Sequence, residues 1–244
     1  YFQAMDLQVA LADVGSSSRG LALDGAGGKL YWSDAQSQSI RRASLDGSGA
    51  EDVVASGPLA PAGVALHGGK IYWADGSGRL QRAGLDGSAV EDLVSGLGNP
   101  TALAVSGAGA GRIYWFDEAV GKIMRGDLDG AHVEELVSGT QDLMDTKDIA
   151  LDDAGGRMYW TTGHQVIRAT LDGADPQAII TSGTPSRGYE GIAVDPSGGK
   201  LYFAERRIHK IYRANLDGSG VEEVLAAQSP SMLALVGDWP TGAV

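Results

Sequence analysis

The sequence contains no cysteine among its 244 residues, which excludes a disulfide framework and a thiolate metal site. It also lacks any apolar run approaching the roughly 18 residues that a membrane-spanning helix needs. No stretch keeps a 3.6-residue apolar period beyond a turn or two, so helices are disfavoured throughout. The apolar 43% of the chain is therefore expected to be buried by strands in one sizeable core.

Basic residues are scarce: 19 lysines and arginines stand against 31 acidic residues, for a net charge of -12. Such a surface repels phosphate groups, and we expect neither nucleic acid nor a membrane as a partner. Residues 1–4 resemble the remnant of an engineered protease-cleavage tag, and residues 5–244 are expected to form a single domain. Nothing after Met5 has the layout of a signal peptide. This favours a cytoplasmic protein, or a secreted one if a signal peptide was removed.

Three motifs recur in the same order along the chain. Tyr-Trp, or once Tyr-Phe, begins at five tyrosines: Tyr31, Tyr72, Tyr114, Tyr159 and Tyr202. An apolar-x-Arg motif then ends at five arginines: Arg42, Arg82, Arg125, Arg168 and Arg213. Leu-Asp-Gly follows at five leucines: Leu45, Leu85, Leu128, Leu171 and Leu216. A period of about 40–45 residues with short strands is typical of the blades of a β-propeller.

Each repeat predicts four strands joined by tight turns. In the second repeat, "GVALH" (Gly63 to His67), "KIYWAD", "RLQRAGL" and "VEDLV" follow one another, and Asp-Gly supplies the positive φ angle of a tight connection. The first strand of each repeat has an apolar-Ala-apolar pattern, with alanines at six positions: Ala22, Ala65, Ala104, Ala150, Ala193 and Ala234. We therefore predict an all-β, six-bladed β-propeller.

The sixth blade is predicted to be incomplete, because only ten residues follow Ala234. Strands from both termini, including Leu7–Asp13, would close the ring, which is a usual way of removing free sheet edges. Complementation of this blade by a strand of another chain is the alternative.

Tyr-Trp-x-Asp followed by I-x-R-x-x-L-D-G resembles the class B (YWTD) repeats of low-density-lipoprotein-receptor propellers. The resemblance extends over roughly residues 20–236 in five combined motifs, and we expect a bacterial-type member of this family. It implies a six-bladed propeller that acts as a protein-interaction or ligand-release module. The cysteine-rich modules of the receptors have no counterpart in this chain.

Residues that recur in every repeat are expected to serve the architecture. The repeated arginines and Asp34, Asp75 and Asp117 should form hydrogen bonds or ion pairs within and between blades. Function is instead expected where the repeat is broken, as at Thr162 and Glu205, which replace that aspartate. The unusual residues cluster in loops of blades 4 and 5. This favours a functional site there, because binding residues often lie on loops that a rigid scaffold positions. The candidate binding residues are Arg19, Asp142, Asp145, Lys147, His164, Arg187, Tyr189, Glu190, Arg206, Arg207 and His209.

The residues three positions before the inner alanines are predicted to ring the mouth of the central channel: Arg19, Ala62, Thr101, Lys147, Glu190 and Ser231. This ring could bind a small polar or anionic ligand. Alternatively, Glu190 pairs with Lys147 or Arg19 across the opening, which is the interpretation we favour.

Neither a metal nor any other cofactor is predicted. The ring offers one carboxylate and no histidine, and Asp142, Asp145 and Asp148 lack the spacing of a calcium loop. No nucleophile elbow, H-E-x-x-H motif or phosphate-binding glycine loop occurs.

The leading hypothesis is a non-enzymatic module that binds a protein or peptide through the loops over blades 4 and 5, with Arg187, Tyr189, Arg206 and Arg207 as exposed anchors. The alternative is a lyase, hydrolase or cyclase that acts on a small polar or anionic substrate at the channel mouth. A third is a structural domain of a longer chain.

Overall fold

The computed structural model describes residues 18–55, 60–139, 143, 145–183 and 188–226. These residues form twenty strands: β1 (Ser18–Asp24), β2 (Lys29–Asp34), β3 (Ser39–Ser44), β4 (Glu51–Val54), β5 (Val64–His67), β6 (Lys70–Asp75), β7 (Arg79–Gly84), β8 (Glu91–Val94), β9 (Pro100–Ser106) and β10 (Arg112–Asp117). The second half of the chain continues with β11 (Lys122–Asp127), β12 (Glu134–Val137), β13 (Asp148–Asp152), β14 (Arg157–Thr161), β15 (Gln165–Thr170), β16 (Gln177–Thr181), β17 (Tyr189–Asp195), β18 (Lys200–Glu205), β19 (Lys210–Asn215) and β20 (Glu222–Ala226).

Every four consecutive strands form one antiparallel sheet in chain order, which we call blades 1 to 5. The first strand of each blade is innermost: β1 packs against β5, β5 against β9, β9 against β13 and β13 against β17. The all-β propeller prediction is thereby confirmed. Within the described part of the chain, no helix has the length and apolar content needed to cross a membrane.

The three repeated motifs lie side by side across each blade. In blade 2, Ala65 of β5 is opposite Tyr72 of β6, which is opposite Arg82 of β7. Strand alternation then places the neighbouring residues on the other blade face, where Ile71 and Trp73 are fully buried. Blades 2, 3 and 4 each meet a blade on both faces, and four apolar clusters lie between consecutive blades.

The repeated tyrosine and arginine connect one blade to the next. Tyr114 Oη and Arg125 Nη1 both donate to the backbone oxygen of Leu171, at 3.2 and 2.9 Å, and Arg125 Nε donates to Glu134 at 2.9 Å. The same pattern joins blade 1 to 2 and blade 4 to 5, so the interpretation of these repeated residues as architecture is confirmed.

The prediction of six blades was wrong, because the described residues form five four-stranded sheets. The sixth repeat had been counted from Ala234, where only the innermost-strand pattern recurs, without the Tyr-Trp, Arg or Leu-Asp-Gly motifs. One apolar strand pattern does not specify a blade, which needs four paired strands. Leu7–Asp13 and Ala234 lie outside the described residues, and so does the predicted closure by both termini.

Candidate functional site

Three charged side chains lie at or directly beside the starts of β13 and β17, at one end of the channel: Lys147, Asp148 and Glu190. Lys147 immediately precedes β13, and its backbone nitrogen donates to Thr161 at 2.9 Å. Glu190 lies in an irregularity of β17, where the pairing shifts between Tyr189 and Ile192. Such bulges re-aim a side chain, and they are frequent beside functional sites.

The Lys147 ammonium is paired with Asp145, at 2.5 Å between Nζ and Oδ1. Asp145 reaches this position over the tight turn that joins β14 to β15. A Cβ on Gly163 of that turn would lie 2.0 Å from Asp145 Oδ2, so the carboxylate occupies the space that any other residue would fill. The absence of a side chain at residue 163 thus helps to position the pair.

Glu190 is half-buried, and the nearest cationic group recorded for it is Arg206, at 3.9 Å between Oε1 and Nη1. Burial raises the pKa of Glu190 above its ordinary value, while the charges of Lys147 and Arg206 lower it and that of Asp145 raises it. The favoured prediction that Glu190 pairs with Lys147 or Arg19 was therefore wrong in its partner. Lys147 influences Glu190 through its charge while forming its ion pair with Asp145.

Asp148 is the residue that connects this group to the channel. Its Oδ1 accepts a hydrogen bond from Ile149 N at 2.9 Å, and its Oδ2 accepts one from Ile192 N of the next blade at 3.0 Å. Burial raises the pKa of Asp148 to about 7, the charge of Glu190 adds to this, and the two N–H groups oppose it. The carboxyl group therefore changes its charge near neutral pH.

Asp148 stands where the other blades have almost no side chain. The equivalent residues are Gly20, Gly63, Ala102 and Gly191. A Cβ on Gly63 would lie 2.5 Å from the backbone of the next blade, so blades 1 to 3 bring their innermost backbones into direct contact. In blade 4 a carboxylate lies at this position and accepts a hydrogen bond from Ile192 N of blade 5. The sequence suggested Asp148 only as a possible calcium ligand, although its contrast with the glycines and alanine of the other repeats can be read from the repeat.

The central channel contains a cavity of about 250 Å³. Its described lining consists of twelve residues: Leu21, Ala22, Leu23, Val64, Ala65, Leu66, Leu103, Ala104, Val105, Asp148, Ile149 and Ile192. Asp148 is the only one of them with an ionisable side chain. Each innermost strand is also an edge strand, so some of its backbone groups face the channel instead of a neighbouring strand.

The remaining predicted residues fall in several places. Arg19 is exposed at the start of β1, and its backbone nitrogen donates to Ser33 Oγ at 3.3 Å. Arg207 is exposed and lies against Gly188. Tyr189, predicted as an exposed anchor, is only 4% exposed and packs edge-on against Phe203, with ring centroids 5.1 Å apart. That prediction was wrong, because a ring in the core between blades 4 and 5 cannot contact a partner.

The two predicted histidines occupy turns. His209 has φ 57°, the left-handed conformation that Gly121 adopts in the corresponding turn of blade 3. His164 lies in the short turn after β14, and its backbone oxygen accepts a hydrogen bond from Ser182 N. Asp142 and Arg187 lie outside the described residues. In the part of the chain described, no three His, Cys, Asp or Glu residues are grouped so that they could hold a metal ion.

Comparisons with known proteins agree with this architecture. Residues 28–67 match the family model of the low-density lipoprotein receptor repeat class B, which confirms the predicted resemblance to that repeat. One chain of the crystal structure of a nidogen/laminin complex is similar in fold, with 23% sequence identity and a TM-score of 0.74. The match covers 86% of this chain and 80% of that one.

Two structures of enzymes are also similar in fold. Virginiamycin B lyase from Staphylococcus aureus is 17% identical with a TM-score of 0.68, over 91% of this chain and 75% of that one. A gluconolactonase from Xanthomonas campestris is 18% identical with a TM-score of 0.72, over 88% and 78%. The chain thus has a β-propeller fold built from YWTD-type repeats, a fold that hosts both binding and catalysis.

Proposed function

We propose that the chain is a non-enzymatic recognition module that binds a protein or peptide through the loops over blades 4 and 5. The observation that carries the proposal is the turn between β18 and β19, where Arg206, Arg207 and Ile208 are all exposed. Arginine is enriched at protein interfaces, and an apolar side chain between charged ones supplies area that a partner can bury. In a chain of net charge -12, two adjacent cations also favour a partner segment that bears a carboxylate.

The surroundings of this turn support the same proposal. Arg206 is held loosely by Glu190, at 3.9 Å, and the Lys147–Asp145 pair belongs to the same charged group. We call Arg206, Arg207, Ile208, Lys147 and Asp145 the recognition face. A face with charges of both signs around an exposed apolar residue gives orientation and selectivity as well as area. The similarity to a propeller from a nidogen/laminin complex is a further argument for a protein partner.

Random peptides displayed on phage, selected on the native chain, provide a direct test. Arg206→Ala is expected to weaken binding of the enriched peptides about tenfold or more, measured by fluorescence polarisation. Arg41→Ala is the matched control, because Arg41 is also a partly exposed arginine in an ion pair, with Asp52 on blade 1. Equal losses in both variants, or none in either, would show that the recognition face is not the binding surface.

The second candidate is an enzyme that acts at the channel mouth. It is favoured by two neighbouring carboxyl groups, Asp148 and Glu190, whose pKa values are both raised, as is common for acid–base residues. Gluconolactone and quinupristin are suitable first substrates, given the enzymes of similar fold. Turnover by the native chain that disappears in Asp148→Asn would favour this candidate over the first.

A further inference from the structure

The carboxylate of Asp148 is not used by the recognition face, although its position demands an explanation. Gly20 and Gly63 show that the fold closes at this position without any side chain, since a Cβ on either would collide with the backbone of the next blade. Blade 4 instead places an acidic group there and connects it to blade 5 through Ile192 N. A buried carboxyl group costs free energy unless its charge is compensated.

The described residues compensate the negative charge of Asp148 only in part. The two backbone N–H groups satisfy one lone pair on each oxygen of Asp148, and a carboxylate has about four such positions. Among the described side chains, no cation is recorded within ion-pair distance of Asp148, since Lys147 pairs with Asp145 and Arg206 lies beside Glu190. Glu190 adds a second negative charge near this end of the channel.

The rest of the channel wall is chemically different. Polar backbone atoms of the innermost strands, together with Asp148, supply most of the surface of the cavity of about 250 Å³, beside small side chains such as Ala22, Ala65 and Ala104. A ligand that matches both features is small and carries a positively charged group with several N–H donors, which can reach Asp148 and backbone oxygens of the channel wall. Anions are disfavoured by Asp148 and Glu190 together, in contrast to the small anionic ligand considered for the channel mouth.

We propose that the central channel binds an alkylammonium group, with its nitrogen at the Asp148 carboxylate. The nitrogen would take the free lone-pair positions of Asp148, and Glu190 would strengthen the attraction. The class includes free alkylamines and the side chain of lysine. This site adjoins the recognition face, but the two are tested by different variants, Asp148 here and Arg206 there, so either proposal can fail while the other holds.

Binding should depend on pH in a defined direction. An ammonium ion favours the ionised form of Asp148, so its affinity should rise as the pH increases through the pKa of about 7. Three other charged groups act on Glu190 and thereby on this equilibrium: Lys147, Arg206 and Asp145. Burial raises the pKa of Glu190, and the charges of Lys147 and Arg206 oppose that rise; the part of the pH dependence that belongs to Asp148 is the part lost in Asp148→Asn.

Isothermal titration of the full chain with n-butylammonium chloride at pH 8 is the first measurement. We expect saturable binding of n-butylammonium to the native chain. Asp148→Asn should weaken it by about tenfold to a hundredfold, because one charge-assisted hydrogen bond is lost. Asp148→Gly, which copies blade 2, should lose the same binding, and circular dichroism should show both variants folded. Asp46→Asn is the control, because Asp46 is an exposed turn carboxylate of blade 1.

Binding of two further ligands distinguishes the effect of charge from that of size and shows where the ammonium group comes from. n-Butanol has the same chain without the charge and should bind far more weakly. Nα-acetyl-lysine amide presents the same ammonium group on a peptide unit. If it binds as well as n-butylammonium, the natural ligand is a lysine side chain; if only the free amine binds, it is a small amine. Equal binding of n-butanol, or undiminished binding of n-butylammonium by both Asp148 variants, would overturn the proposal.

Discussion

Replacing Asp148 by asparagine should change how the stability of the protein depends on pH. The side chain keeps its size, and its oxygen can still accept a hydrogen bond from one of the two backbone N–H groups. What it loses is the ability to ionise. The comparison therefore isolates the free energy of placing a negative charge at the junction of blades 4 and 5.

The direction follows from the pKa of Asp148, which folding raises from 3.8 to about 7, chiefly by burial. The folded protein thus holds this proton more tightly than the unfolded chain does. The resulting stabilisation is complete below pH 4 and is lost progressively as the pH rises to about 7. Each pH unit in this interval is worth up to about 1.4 kcal/mol, so the total loss is at most about 4 kcal/mol. The loss is smaller than this limit, because Asp148 is partly exposed and solvent screens its charge.

Urea denaturation between pH 4 and 8.5 measures the effect. The free energy of unfolding of the native chain, minus that of Asp148→Asn, should fall by about 2–4 kcal/mol between pH 4 and 7 and then stay constant. Other titrating groups cancel in this difference, apart from Glu190, which is coupled to Asp148. Parallel curves for the two proteins would refute the reasoning, because they would mean that Asp148 titrates as it does in the unfolded chain.

Two further predictions concern the contacts between and within blades. Gly63→Ala should lower the free energy of unfolding by about 1–3 kcal/mol, because its Cβ would lie 2.5 Å from Leu103 N. Urea denaturation should show no such loss for Gly183→Ala, whose Cβ has nothing within 4 Å, and equal losses would contradict the argument. Gln177→Glu should raise the free energy of unfolding by up to about 1 kcal/mol, and the melting temperature slightly with it. The reason is that Arg168 contacts the neutral amide of Gln177 in the native chain, and the variant offers it a carboxylate. A gain that high salt leaves unchanged would speak against an ion pair.

The architecture of a blade could be predicted because five copies of the same pattern were available. The alignment of Ala65, Tyr72 and Arg82 across three strands follows from alternation and turn positions, both of which are local properties. The number of blades could not be predicted in the same way. It depends on whether a segment supplies all four strands, and at Ala234 the sequence carries the pattern of one.

The ion-pair partners within the candidate site also could not be predicted from the sequence. The ring of residues before the inner alanines correctly put Lys147 and Glu190 at the starts of neighbouring innermost strands. Which cation meets which carboxylate, however, depends on the lengths of turns in three dimensions. The short turn at Gly163 gives Asp145 access to Lys147, and the longer turn of blade 5 brings Arg206 toward Glu190.

A residue that departs from the repeat indicates function only where its side chain is accessible to a ligand. Thr162 and Glu205 replace the repeated aspartate, but both are 0% exposed. Thr162 Oγ1 accepts a hydrogen bond from Gln165 N at 3.1 Å, as Asp75 Oδ1 does from Ser77 N at 3.0 Å, so the substitution keeps the structural role. Asp148 differs in both respects: its equivalents have no polar side chain whose role it could keep, and it faces the channel. Asp148 does join blades 4 and 5 through Ile192 N, but blades 1 and 2 close at this position without a side chain, so its charge at the cavity is what a ligand would explain.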